Sequence, residues 1–123
     1  MSRKALVIGN KNYSNKNDVL INPINDSIAM AEILEYQGFH VTHKTDLNNK
    51  ETIECFNDFL ASINEEDTTI FYFAGHGVEY KDTNYLLPID FCFPIENTSL
   101  SISEIQNKIN SKNKTGIKLI ITD

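Results

Sequence analysis

The chain has 123 residues, 41% of them apolar and 23% charged, with a formal charge of -6; this is the size of one domain around a single core. Its few lysines are scattered and no summed basic field is available to hold phosphate backbones, which argues against nucleic acid as a partner. No apolar run approaches the roughly 20 residues needed to cross a bilayer, so no membrane partner is expected.

The start MSRKALVIGN leads directly into a strand-like stretch. It does not read as a signal peptide, and a cytoplasmic location is the expectation. Cys55 and Cys92 lie far apart, without the spacing of a zinc site or a redox pair, so no metal or other cofactor is expected and a reducing compartment fits. Cys55 falls on the apolar face of a predicted helix, where a free thiol packs as a small hydrophobe.

Ala5 to Ile8 form a continuous apolar run closed by Gly9, the pattern of a strand buried on both faces. Lys11 to Asn22 is polar and asparagine-rich and reads as a loop. From Pro23, the residues Ile24, Ile28, Ala31 and Leu34 recur at helical spacing, with Pro23 suited to the first turn and Gly38 to the end. Phe39, Val41 and His43 alternate as a short second strand. Asn48 or Asn49 then caps a helix carrying Ile53, Phe56, Phe59, Leu60 and Ile63 on one face.

Thr69 to Ala74, rich in aromatic and β-branched residues, predicts a central third strand. After Gly75-His76-Gly77, short β-prone pieces around Val78–Tyr80 and Tyr85–Leu87 flank the turn-like Lys81-Asp82-Thr83-Asn84 and suggest a small hairpin. Ser101 with Glu104 forms a capping box ahead of Ile102, Ile105 and Ile109. Ile117 to Ile121 is a last strand, two residues before Asp123.

Strands alternating with helices in this order predict a three-layer α/β/α sandwich, a parallel sheet with a small β-hairpin insertion, as one domain over residues 1–123. Reactive groups in such sheets gather at the carboxyl ends of the strands. His76 follows the third strand, Asp123 ends the last, and Asp26 opens the helix after the first, so all three are expected at one crevice. His40 and His43 have no special neighbours. His76, held between two glycines, can be either a tight turn with a polar tip or a functional imidazole.

The segments KALVIGNKNY, INPINDSIAMAEIL, TIFYFAGHG with YLLPID, and KLIITD, in this order, resemble the caspase-like cysteine peptidase superfamily, most nearly its paracaspases and metacaspases. The resemblance implies a caspase-like fold and a cysteine endopeptidase working by a Cys-His dyad, with His76 as the catalytic histidine and Gly77 in the oxyanion hole. It places the nucleophilic cysteine two positions beyond Asp123, so that these 123 residues are the large-subunit part and are inactive alone. It also implies that Asp26 and Asp123 line the primary specificity pocket. Two carboxylates there favour peptide or protein substrates with arginine, then lysine, before the scissile bond; the chain has no arginine except Arg3 to accept an acidic side chain. A homodimer of the complete protein is compatible with the resemblance.

Two other readings share the element order. A non-catalytic caspase-fold scaffold would keep the fold without the chemistry. A flavodoxin-like phosphate-binding domain would need a glycine-rich loop after Gly9, which this sequence lacks. Cys92, in Asp90-Phe91-Cys92-Phe93-Pro94, has no neighbour that would activate a thiolate.

Overall fold

The computed structural model describes residues 2–113, 116 and 118–122. Its main sheet has four parallel strands in the order β2-β1-β3-β7, built from β1 (Arg3–Gly9), β2 (His40–Thr45), β3 (Thr68–Ala74) and β7 (Lys118–Thr122). Alternation along the two inner strands divides the core. Leu6, Ile8, Phe71 and Phe73 pack with Phe56, Phe59 and Leu60 of α2 (Asn49–Ser62) and with Ile105 and Ile109 of α4 (Ile102–Lys112). Ala5, Val7, Tyr72 and Ala74 pack on the opposite face against Ala31 and Leu34 of α1 (Pro23–Tyr36). Helices therefore cover both faces, the three-layer arrangement expected of a parallel sheet whose inner strands carry continuous apolar runs.

From β1 the chain steps outward to β2, then crosses back over the sheet to β3 on the other side of β1. The switch point thus lies between β1 and β3, and their carboxyl ends are tied together where Asn10 N–H donates to the Ala74 carbonyl at 2.8 Å. This is where ligands sit in open α/β sheets.

α1 buries Pro23, Ser27, Ala31 and Leu34, which shifts the expected face. Ile28 is 42% exposed because Ser27 takes its place opposite Gly9. A Cβ on Gly9 would stand 2.5 Å from Ser27 Oγ and 2.7 Å from the Pro23 carbonyl oxygen, so the first turn of α1 seats directly on the backbone of β1 and only a small side chain fits there. Gly38 ends the helix with φ +89°, the left-handed conformation that glycine adopts without steric cost.

Asn48 caps α2 with a complete box, accepting from Glu51 N–H at 2.8 Å while Glu51 accepts from Asn48 N–H at 3.0 Å. Thr52 rather than Ile53 joins the buried face; Ile53 is exposed. Ser101 accepts from Glu104 N–H at 3.1 Å, but the Glu104 carboxylate pairs with Lys108 at 3.0 Å, so that box is only half made. The hairpin β4 (Gly77–Tyr80) and β5 (Thr83–Leu86) is tighter than expected. Its two-residue turn, Lys81-Asp82, has φ of 50° and 62°, a type I′ geometry that matches strand twist. β5 pairs on its other edge with β6 (Leu100–Ser101), after the short helix α3 (Ile95–Thr98).

Candidate active site at the β1–β3 switch point

The Lys11–Asn22 segment is built against the carboxyl edge of the sheet. Asp46, just after β2, holds its beginning by accepting from the Lys11 and Asn12 N–H groups at 2.9 and 3.0 Å and from Asn12 Nδ2 at 2.8 Å. Burial pushes the Asp46 carboxyl up, but these hydrogen bonds outweigh it and hold the group below the usual carboxylate range. Asn10, fully buried, accepts from Leu47 N–H at 3.0 Å and donates to the Leu87 carbonyl at 3.3 Å.

These ties press the ring of Tyr13, only 3% exposed, beneath the Gly75-His76-Gly77 turn. Its hydroxyl accepts from His76 N–H at 2.8 Å and donates to the Leu87 carbonyl at 3.0 Å. Burial drives the phenol up to about 12. Its ring meets the His76 imidazole edge-on, centroids 4.7 Å apart. The backbone on the other side of His76 is fixed as well, since its carbonyl accepts from Leu87 N–H at 3.0 Å.

A short 3-10 turn, Lys16–Asp18, then brings the Asp18 carbonyl to 2.7 Å from His76 Nε2. A carbonyl can only accept, so Nε2 carries a proton, and in the neutral ring the lone pair is on Nδ1. One backbone carbonyl thereby sets the imidazole as a proton acceptor at Nδ1 and would steady it once protonated.

Past Asp18 the same segment walls a cleft of about 370 Å³, in which Val19, Leu20 and Ile21 face Asp26, Ala74 and Gly75. Asp26 and Gly75 of the His76 turn therefore line one cleft. A second cleft, about 420 Å³, lies on the other side of Gly75 and brings Gly77 of the turn, Glu79 and Tyr85 of the hairpin and Thr122 of β7 together. Asp123, expected in the specificity pocket, falls outside the described residues.

Neither cysteine lines either cleft. Cys55 packs against the α2/α4 side of the core, and burial raises its thiol. Cys92 is exposed in the loop bridged by the Thr98 hydroxyl. His43 is more than a bland surface group: its Nε2 lies 2.8 Å from Ser27 Oγ, locking β2 to α1. Among the described residues, no three His, Cys, Asp or Glu gather as a metal site would require, and no helix is long and apolar enough to cross a membrane.

A three-layer α/β fold with a histidine at the switch point, its ring bonded to a main-chain carbonyl, defines the class: the chain belongs to the caspase domain family, whose model matches residues 2–123. Members of that family are cysteine peptidases. It is 26% identical over 119 residues to the human mucosa-associated lymphoid tissue lymphoma translocation protein 1, and 25% identical to the mouse homologue. Those alignments cover 97% of this chain but only 14% of either relative. Among solved structures, protein GSU0716 from Geobacter sulfurreducens superposes with a TM-score of 0.78 at 17% identity, covering 98% of this chain and 49% of that one. At that identity the likeness speaks for the fold alone.

Proposed function

We propose that the chain supplies the histidine-bearing part of a cytoplasmic cysteine endopeptidase that cleaves after arginine and, more slowly, lysine. The observation that carries this reading is the 2.7 Å bond from His76 Nε2 to the Asp18 carbonyl, which leaves Nδ1 ready to take a proton. The nucleophile is a cysteine two residues past Asp123. Its thiol proton passes to His76 Nδ1 and the thiolate attacks the scissile carbonyl carbon. The developing oxyanion is met by the Gly77 N–H together with the nucleophile's own amide. As the C–N bond breaks, His76 returns the proton to the leaving amine, and water then hydrolyses the acyl-enzyme.

Specificity for a basic side chain is supported by the cleft of Val19, Leu20 and Ile21 with the exposed carboxylate of Asp26. The apolar wall suits the methylene stem and the carboxylate its cationic head. Asp123 would add a second carboxylate, which a planar guanidinium can bridge better than an ammonium. A cavity of this composition offers nothing to an aspartyl side chain.

The test is turnover of fluorogenic peptides ending in arginine, lysine or aspartate by the full-length gene product. The expected result is arginyl cleavage ahead of lysyl, lost on His76→Ala and reduced roughly tenfold or more in kcat/KM by Asp26→Asn. Cleavage after aspartate, or arginyl cleavage indifferent to Asp26→Asn, overturns the pocket. Absence of turnover from a properly folded full-length protein favours a non-catalytic scaffold.

A further inference from the structure

The Tyr13 hydroxyl sits where a loop side chain has little reason to be unless it is needed. It is buried, 63 residues away in sequence from its donor, and it joins two main-chain groups that no regular element pairs: the His76 N–H at 2.8 Å and the Leu87 carbonyl at 3.0 Å. Gly75 is shaped to this contact, because a Cβ there would lie 2.8 Å from the same oxygen.

We infer that Tyr13 is a positioning residue for the reaction, fixing the His76 backbone so that the imidazole and the following Gly77 peptide keep one mutual orientation. The inference rests on the peptidase reading given above. Without the hydroxyl, the His76 N–H is left at a half-buried position with no acceptor, whereas the Leu87 carbonyl still receives Asn10 Nδ2 at 3.3 Å. The loss therefore falls on the His76 side. An unpaired amide next to solvent is relieved by rotating the peptide toward water, and a rotation of the Gly75-His76-Gly77 turn moves both the proton acceptor and the Gly77 N–H. A phenylalanine ring can still meet the imidazole edge-on, and Asp18 still holds Nε2 from the other side, so the change begins at the peptide of the turn. Cleft residues Val19 to Asp26 are not touched.

The consequence is a rate defect without a binding defect. Misplacing catalytic groups by about 1 Å can cost about 100-fold in turnover, and a smaller shift of the turn costs correspondingly less. The experiment compares the full-length protein with its Tyr13→Phe variant, counting competent sites with an irreversible arginyl peptide reagent directed at the thiol. The expected result is kcat per titrated site lowered about tenfold or more, with KM for an arginyl peptide within about twofold of the parent. Fewer titratable sites with unchanged kcat per site would mean a merely structural tyrosine and overturn the inference. A second readout on protein carrying 15N-histidine does not depend on turnover: the His76 amide exchanges slowly in the parent and much faster in Tyr13→Phe. If the parent shows no turnover at all, the peptidase reading fails, and the amide readout decides the positioning role: equal exchange in parent and variant overturns it.

Discussion

Ser27 Oγ and His43 Nε2 lie 2.8 Å apart across the contact between α1 and β2, and the same hydroxyl donates to the Ile24 carbonyl at 2.8 Å. With its proton so used, Ser27 must accept from the imidazole, which places a proton on His43 Nε2. Desolvation lowers the His43 pKa from its ordinary value, the charge of Glu35 opposing it. The sign follows from linkage: a base harder to protonate in the folded than in the unfolded state contributes stability that is complete above the unfolded value of about 6.5 and is lost as pH falls through it toward the folded value. The parent's resistance to heat should therefore fall as pH drops below about 6.5, and in a His43→Gln variant this part of the pH dependence should flatten. Superimposable curves of Tm against pH for the two proteins would refute it.

The seat of α1 on Gly9 gives a sharper mechanical expectation. Gly9→Ala places a methyl 2.5 Å from Ser27 Oγ and 2.7 Å from the Pro23 carbonyl; one of these is backbone, so relief requires lifting the helix. Overpacking of this kind costs about 1–3 kcal/mol or more, to be read from the midpoint of urea unfolding. The double variant Gly9→Ala/Ser27→Ala should recover only part, because the Pro23 carbonyl stays in place.

Asp46 governs the beginning of the loop that carries Tyr13 and Asp18. Its folded pKa is depressed, so its contribution is fully present above the unfolded value of about 3.9 and is lost as pH falls through the lower folded value. At neutral pH the parent loop is closed. In Asp46→Ala three hydrogen bonds disappear, and tryptic cleavage after Lys16 should accelerate by about tenfold or more, the equivalent of one or two net hydrogen bonds. Equal cleavage rates would show that the loop's other ties suffice to hold it, among them Tyr13, the Asp18 carbonyl on His76 and the Ser14 N–H on the Ile89 carbonyl.

The hairpin turn offers a gain. Asp82 has φ 62°, a conformation that asparagine and aspartate tolerate and glycine adopts freely. Asp82→Gly should stabilise the protein by up to about 1 kcal/mol, the relief of left-handed strain less the added freedom of glycine in the unfolded chain, measurable as a shift in thermal midpoint; destabilisation would mean that the aspartate makes a favourable contact of its own.

The strands could be read from the chain because their burial is continuous: Ala5 to Ile8 and Phe71 to Ala74 are buried throughout, and each run ends at a glycine that marks the carboxyl edge. His76 stands out as a polar residue between glycines at the end of the most apolar strand, whereas Asp26 is only an acid in a helix's first turn until the resemblance singles it out. Periodicity places Ala31 and Leu34 of α1 correctly but not Ile28, since nothing local says that Ser27 must face a glycine 18 residues earlier. Tyr13 goes unmarked in the sequence, inside a loop read only as polar, because its partners are His76 and Leu87, distant contacts that no window contains. Asp18 was beyond reach in principle, because it acts through its main-chain carbonyl and any residue type could supply that atom.

The two glycines around His76 are alike in sequence and unlike in tolerance. Gly75 borders both clefts, and a Cβ there would meet Tyr13 Oη at 2.8 Å and the Phe73 ring at 3.0 Å; at Gly77 the nearest obstacle is the Tyr85 carbonyl, 3.3 Å away. A saturation survey scored separately for abundance and for turnover would therefore separate them. At position 75 every replacement should fail both scores, while at 77 alanine should keep near-normal abundance and reveal its cost only in turnover.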